Sequence, residues 1–596
     1  MSQLKISRSL SRHWVALGTL VFAASASAVA CGGGDGGTND ADSGGDSSGG
    51  NNAGGAGADG SGGDGAGNSS GGGTTTPGFE SLGCETRDGG EATKVSGVIT
   101  SDATWSGLIY LDGDVEIEGA KITIARGTEV VAAKGSSLTV SDGGTLLVAG
   151  EELEPVRFCG EEDVAGSWRG LTLTDTASAE SEFNYVLVSD AGATEQAVLL
   201  NAAALINNFR VEKSGSVGVR AAAFAKGSTG LSVTGAKEAP VVLSDAAAVS
   251  PFPTGGTLTG NGDDTVHLRF FEFIIDADFQ KLDVPYAVKQ GLWGNSGIEF
   301  IIRPGAKFIV SADMEVSCGK KSLCQFEGTA EEPIVFEGEK DERGFWPGVG
   351  IGNDVLLDSK LEHISVRNCG NALSVSAQIV VGNIFAANVE RGFRFKKGAP
   401  ATGSKNLSID GATFGAFFVD LDSLCKLPLS GSYVNIDEPY VQIDSGTFSD
   451  TCSLGDIGAV YRFRQTKILG ELEILAGQTV AIYDDGAITV GEGGRLSFVG
   501  TKENPIDVGG LLPPTSPHGG ITYEALSDGT SSIQWVNFLG ESNCLTLHQP
   551  IAVSNADFSA CGTAAFRADT TTYDSLEYTS KLTNITPGTL PVYYTP

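Results

Sequence analysis

From about residue 90 onward, short apolar pairs spaced two residues apart alternate with glycine, serine, aspartate and asparagine. An i, i+2 apolar pair is a strand with one buried face. The pairs recur every 8 to 15 residues. No long stretch follows the 3.6-residue period of an amphipathic helix. The pattern predicts many strands of three to five residues joined by glycine turns, with little helix.

The pattern occurs three times. Counted without a gap from Gly127, Gly305 and Gly477, glycines fall 23 positions on (Gly150, Gly328, Gly500) and 43 positions on (Gly170, Gly348, Gly520). Prolines fall 28 positions on (Pro155, Pro333, Pro505). Apolar pairs share offsets as well: Leu138/Val140 matches Val316/Cys318 and Ile488/Val490, and Val156/Phe158 matches Ile334/Phe336 and Ile506/Val508. One such rung buries too little to stand alone, whereas stacked rungs share a continuous core. The expected fold class is therefore all-β, a parallel β-helix (solenoid) with coils of roughly 20–26 residues at a rung spacing of about 4.8 Å. Its modules span 79–270, 271–455 and 456–596, the last ending in a C-terminal cap. Tandem β-sandwiches, one per module, are the alternative. The run Gly127-Thr128-Glu129-Val130, Leu138-Thr139-Val140, Gly143-Gly144-Thr145-Leu146, Pro155-Val156-Arg157-Phe158, Trp168-Arg169-Gly170 resembles the repeats of right-handed parallel β-helix proteins of bacterial cell surfaces. That resemblance implies a right-handed coil.

The N-terminal region reads as an address. Lys5, Arg8 and Arg12 precede an apolar run from Trp14 to Ala24 and small residues up to Ala30, the layout of a secretory signal peptide over residues 1–30. Ala28-Val29-Ala30-Cys31-Gly32 resembles the lipobox of bacterial lipoproteins, with Ala28 where that family usually has Leu. The resemblance implies cleavage before Cys31 and lipid attachment there. Glycine rather than aspartate after the cysteine implies the outer membrane, with the body facing periplasm or cell surface. Several acyl chains suffice for stable anchoring. Residues 31–78 form the lipidated cysteine and a linker; 20 of the 44 residues in 32–75 are Gly, with no Val, Ile, Leu or aromatic residue. Such a stretch buries nothing and is expected to be a disordered tether, with a reach of about 36 Å.

Charge removes one class of partner. The 596 residues hold 39 Lys+Arg against 73 Asp+Glu, a net charge of −34, which repels phosphate backbones and argues against nucleic acid. Five histidines leave few general bases and zinc ligands. The ten cysteines suit an exported, disulfide-bonded chain. Apart from Cys31, the expected pairs are Cys318 with Cys324, Cys425 with Cys452, Cys544 with Cys561 and Cys84 with Cys159, leaving Cys369.

Candidate chemistry is sparse. Trp168 and Trp346 share one offset, His518 holds it in the third module, and Arg169 adjoins Trp168. The functional reading is a ligand platform that stacks on sugar rings; the structural one is an aromatic filling a solenoid corner. Asp112, Asp114, Glu116 and Glu118 alternate along one strand face, and Asp263 and Asp264 adjoin a Gly-Asn-Gly turn. Ca²⁺ coordination is the cofactor chemistry that such acidic turns allow; otherwise none is expected, and no catalytic residue or metal ligand stands out. The expected function is that of a membrane-anchored cell-envelope lipoprotein, a non-enzymatic binding, adhesion or structural β-helix whose partners are the membrane and a polysaccharide or another envelope protein. The alternative is a carbohydrate-active enzyme, a polysaccharide lyase or glycosidase, on the same scaffold.

Overall fold

The computed structural model describes residues 84–87, 90–428, 430–510, 520–539 and 543–558, with Cys561, 564–569, Thr572, 582–583 and 593–595. The expected signal peptide (residues 1–30), Cys31 and the expected linker up to 78 lie outside the described residues, as does His518. Strands coil as a right-handed-type parallel β-solenoid of about 19 turns, with only 2% helix. Two helical turns, Ala246–Ala248 and Leu421–Leu424, are described. Neighbouring strands pair in parallel from Thr93–Ile99 to Tyr593–Thr595, and the ladder runs unbroken past residues 270 and 455. Sandwiches need antiparallel hairpins, so the alternative fold is set aside.

Alternation decides which side chains enter the coil. Along Ile334–Gly338, Ile334 and Phe336 are fully buried while Val335 and Glu337 look outward. Each inward side chain lies on the one below it, about 4.8 Å away. Tyr286, Phe308 and Phe336 form such a stack, with ring centroids 5.2 and 5.0 Å apart and planes within 20°.

Coil length differs from expectation. Coils range from 16 residues, where Thr93 pairs with Ile109, to 35, where Val148 pairs with Phe183. The lengthening is the same in every module. Leu138, Val316 and Ile488 each pair with a residue 33 positions on (Leu171, Val349, Ile521). Val148, Phe326 and Phe498 pair 35 positions on (Phe183, Leu361, Ile533). Buried serines at one shared offset accept a backbone N–H ahead of the incoming strand: Leu146, Cys324 and Leu496 donate to Ser181, Ser359 and Ser531 Oγ at 3.2, 3.0 and 3.3 Å. The same bond closes shorter coils, from Ile206 to Ser228 and from Ile298 to Ser322. Gly170 and Gly348 likewise share an offset. Their φ values are 114° and 110°, and a Cβ there would stand 2.1 and 1.7 Å from the carbonyl oxygens of Ala197 and Asn371, so only glycine fits.

Successive modules do not sit above one another. Followed rung by rung from Leu138, the pairing passes Leu171, Val198, Val219, Val241, Val266, Tyr286 and Phe308 and reaches Phe336, which occupies a different offset in its module. From Val316 it passes Val349, Leu373, Phe393, Phe417, Val441, Tyr461 and Val480 and reaches Val508, at the offset of Phe336. Each module is therefore turned by one face of the coil relative to its predecessor.

Four disulfides staple the coil: Cys84–Cys159, Cys318–Cys324, Cys425–Cys452 and Cys544–Cys561. Cys369 is free and buried, and burial pushes its thiol pKa up. Beside Cys84, Arg87 reaches Asp190 at 2.9 Å and Asp163 at 3.1 Å, and Lys213 reaches Asp163 at 2.7 Å. The segment leading into the body is thus clamped to the wall, several rungs beyond the first strand.

Two predictions follow from these features. Ser359→Ala leaves the buried Cys324 N–H unpaired and lowers stability by about 1–3 kcal/mol, read as a fall in Tm, while Ser359→Thr retains the hydroxyl and loses less. The clamp depends on pH. The hydrogen bond from Lys213, with the charge of Arg87, holds the Asp163 carboxyl below the usual carboxylate range. A depressed folded pKa gives stability that is present above the unfolded value, about 3.9, and is lost as pH falls through the folded value. Hydrogen exchange in Thr93–Ile99 should therefore accelerate only below about pH 4, whereas Arg87→Ala, which strands the buried Asp190, accelerates it at neutral pH.

Candidate functional site

Trp168 and Trp346 are not a platform. Both are 0% exposed, and their indole N–H groups donate to the carbonyls of Ser189 and Arg367 at 2.8 and 2.9 Å. Each ring fills the corner between an inserted loop and the coil, so no face is open to a ligand. Arg169 is also engaged: it donates to the Gly135 carbonyl at 2.9 Å and pairs with Asp114, and these bonds hold its outer-face side chain. The acidic turns are satisfied locally. Asp264 accepts from the N–H groups of Gly260 and Asn261, and Asp263 accepts from Thr265 and pairs with His267 at 2.7 Å. Among the described residues, no three His, Cys, Asp or Glu side chains gather in a group that could hold a metal ion.

A different tryptophan faces solvent. Trp293 lies between the inward positions of Leu292 and Gly294 and is 41% exposed. Phe271, 48% exposed, meets it edge to face with centroids 5.7 Å apart. Beside them opens a groove of about 480 Å³, floored by Ser317, Gly350 and Ser374 and flanked by Asn295, Glu315 and Lys320. The floor residues occupy successive rungs: Trp293 pairs with Ser317, Ser317 with Gly350, and Gly350 with Ser374. A Cβ on Gly350 would stand 3.2 Å from Glu315 Oε1, so that carboxylate leans over the floor.

The hollow is particular to the middle module. Its three floor positions are Thr139, Thr172 and Leu199 in the first module and Thr489, Thr522 and Thr546 in the third. Threonine is a favoured outward residue on a sheet, and glycine is a poor one. The middle module forgoes that preference and gains a trough one side chain deep. Exposed aromatic surface beside a polar-rimmed groove of this size is a candidate binding site. The groove can stack an apolar ring face on Trp293 and Phe271 and hydrogen-bond hydroxyls with Asn295, Ser317, Glu315 and Lys320. Trp293 has no counterpart in the other modules, so the repeat does not single it out. The informative signal was a tryptophan at an outward position of Leu292-Trp293-Gly294, together with threonines replaced by serine and glycine in one module only.

Comparison with protein-family models, with curated proteins and with solved structures gives no match. The class of the protein is that of its fold, the parallel β-solenoid.

The two kinds of tryptophan should separate on substitution. Trp346→Ala removes a fully buried ring and should cost about 3–5 kcal/mol. Trp293→Ser, on the surface, should stay within about 1 kcal/mol of the parent. Chemical denaturation of the two variants checks this.

Proposed function

We propose that this is a lipid-anchored envelope protein whose β-solenoid binds a glycan without cleaving it. The observation that carries the binding half is the groove beneath Trp293 and Phe271, where an exposed ring pair adjoins a floor of Ser317, Gly350 and Ser374. Stacking on an aromatic face with hydroxyl-bonding groups alongside suits a pyranose ring, which is apolar on its face and polar at its edge. The binding rather than cleaving half draws on the lining: Glu315 is the one carboxylate among the described groove residues, while glycoside hydrolysis ordinarily takes two facing carboxyl groups. The anchoring half draws on Ala28-Val29-Ala30-Cys31-Gly32 and the glycine-rich stretch behind it. Such a tether would hold the solenoid clear of the outer membrane.

Two measurements test the halves separately. Cys31→Ser should abolish incorporation of labelled fatty acid, and continued labelling removes the anchor. On a glycan array the full chain should bind a subset of polysaccharides and release no new reducing ends or unsaturated sugars. Trp293→Ser and Gly350→Phe, which removes the stacking face and fills the trough, should each lower affinity about tenfold or more. Product formation would favour the lyase or glycosidase alternative.

A further inference from the structure

The outward column that floors the groove does not end at Ser374. Strand pairing continues the same outward column from Ser374 to Arg394, from Arg394 to Phe418, and on to Gln442 and Arg462. The flanking residues Phe393, Phe395, Phe417, Val419, Val441 and Ile443 are all fully buried, which leaves the column itself on the outer face. Trp293 and Phe418 are separated by five rung spacings (293, 317, 350, 374, 394, 418), roughly 24 Å at 4.8 Å per rung. The far end is closed. Gln442 is only 6% exposed, the Tyr483 hydroxyl donates to its Oε1 from two strands away, and the Arg462 guanidinium lies 3.7 Å over the Tyr440 ring. The result is one outward column along the solenoid wall, grooved from Trp293 to Ser374 and continuing through Arg394 and Phe418 to a stop at Gln442.

Charge changes along the column. Near Trp293 stand Glu315 and Lys320. Beyond the floor, Arg394 is exposed and has no ion pair among the described residues. Its neighbours are already engaged: Arg391 with Glu390 at 2.9 Å, Lys396 with Asp444 at 3.4 Å, and Arg462 with Glu438 at 3.2 Å. Although the net charge of −34 opposes polyanions as a whole, an exposed, unpaired arginine on the column is a local exception that can take one anionic ligand group in two-point fashion through its planar fork.

We propose that the ligand is a linear acidic glycan lying along the solenoid axis, with one sugar ring on Trp293 and a carboxylate or sulfate group on Arg394. This rests on the glycan reading above and adds to it the ligand's charge, its polymeric length and its orientation.

The test is a titration of the full chain with four soluble polymers of matched length: a neutral glucan, a polyuronate, a sulfated glucan and poly-glutamate. The polyuronate or the sulfated glucan should bind about tenfold or more tightly than the neutral glucan, and whichever does so identifies the anionic group. Arg394→Gln, at an exposed position, should erase that preference and leave neutral-glucan binding within about twofold. Trp293→Ser should weaken every sugar polymer. Equal affinity for neutral and acidic glycans, or a preference that survives Arg394→Gln, overturns this inference and leaves glycan binding standing. Poly-glutamate bound as tightly as polyuronate and insensitive to Trp293→Ser overturns both, as does the absence of binding to any sugar polymer.

Discussion

Everything in the molecule hangs on one requirement: each short strand must lay its two inward side chains on those of the coil beneath. A strand such as Val316–Cys318 buries only Val316 and Cys318, far too little apolar area to order it alone. Stability comes from the shared interior, as in any solenoid. That is why the inward rows tolerate so little. Where a strand's N–H lacks a carbonyl from the next rung, a serine hydroxyl accepts it, and where two backbones approach too closely the residue is glycine. Both devices recur at shared offsets in the modules where they are described.

The outward rows are under no such requirement, and function can be written there. Turning each module by one face has a physical consequence for this. Any one outer column threads different offsets in successive modules, so a surface track is assembled from positions that are not repeat-equivalent. The column from Trp293 to Arg462 is such a track.

This explains which parts could be read from the residues alone. Leu138/Val140, Val316/Cys318 and Ile488/Val490 align because burial constrains them, so the all-β class, the rungs and the inward Cys318 and Cys324 were legible. Coil length was not, because loops between rungs are nearly free to vary once their ends meet. The site was misplaced for a related reason. Trp168 and Trp346 repeat because a corner needs filling, and that repetition drew the eye to a structural position. Trp293 and Arg394 do not repeat, and nothing in local spacing places them on one column. Only the pairing register does, and register depends on every coil length in between.

The trough also carries a cost that the interior offsets. Gly350, where the first and third modules carry threonine, gives up strand propensity in the middle of the floor. The same module holds a dense aromatic interior: Phe273, Phe279, Phe300 and Phe326 join the stack of Tyr286, Phe308 and Phe336 through Phe279, with centroids between 4.8 and 5.8 Å. Aromatic contacts of this kind add about 0.5–1.5 kcal/mol each beyond the area they bury. The Cys318–Cys324 disulfide pins the same coils, with both residues at or below 1% exposure. A stiff interior under a carved outer face is what a binding trough requires, since a floor of small residues keeps its shape only if the rungs beneath it cannot shift.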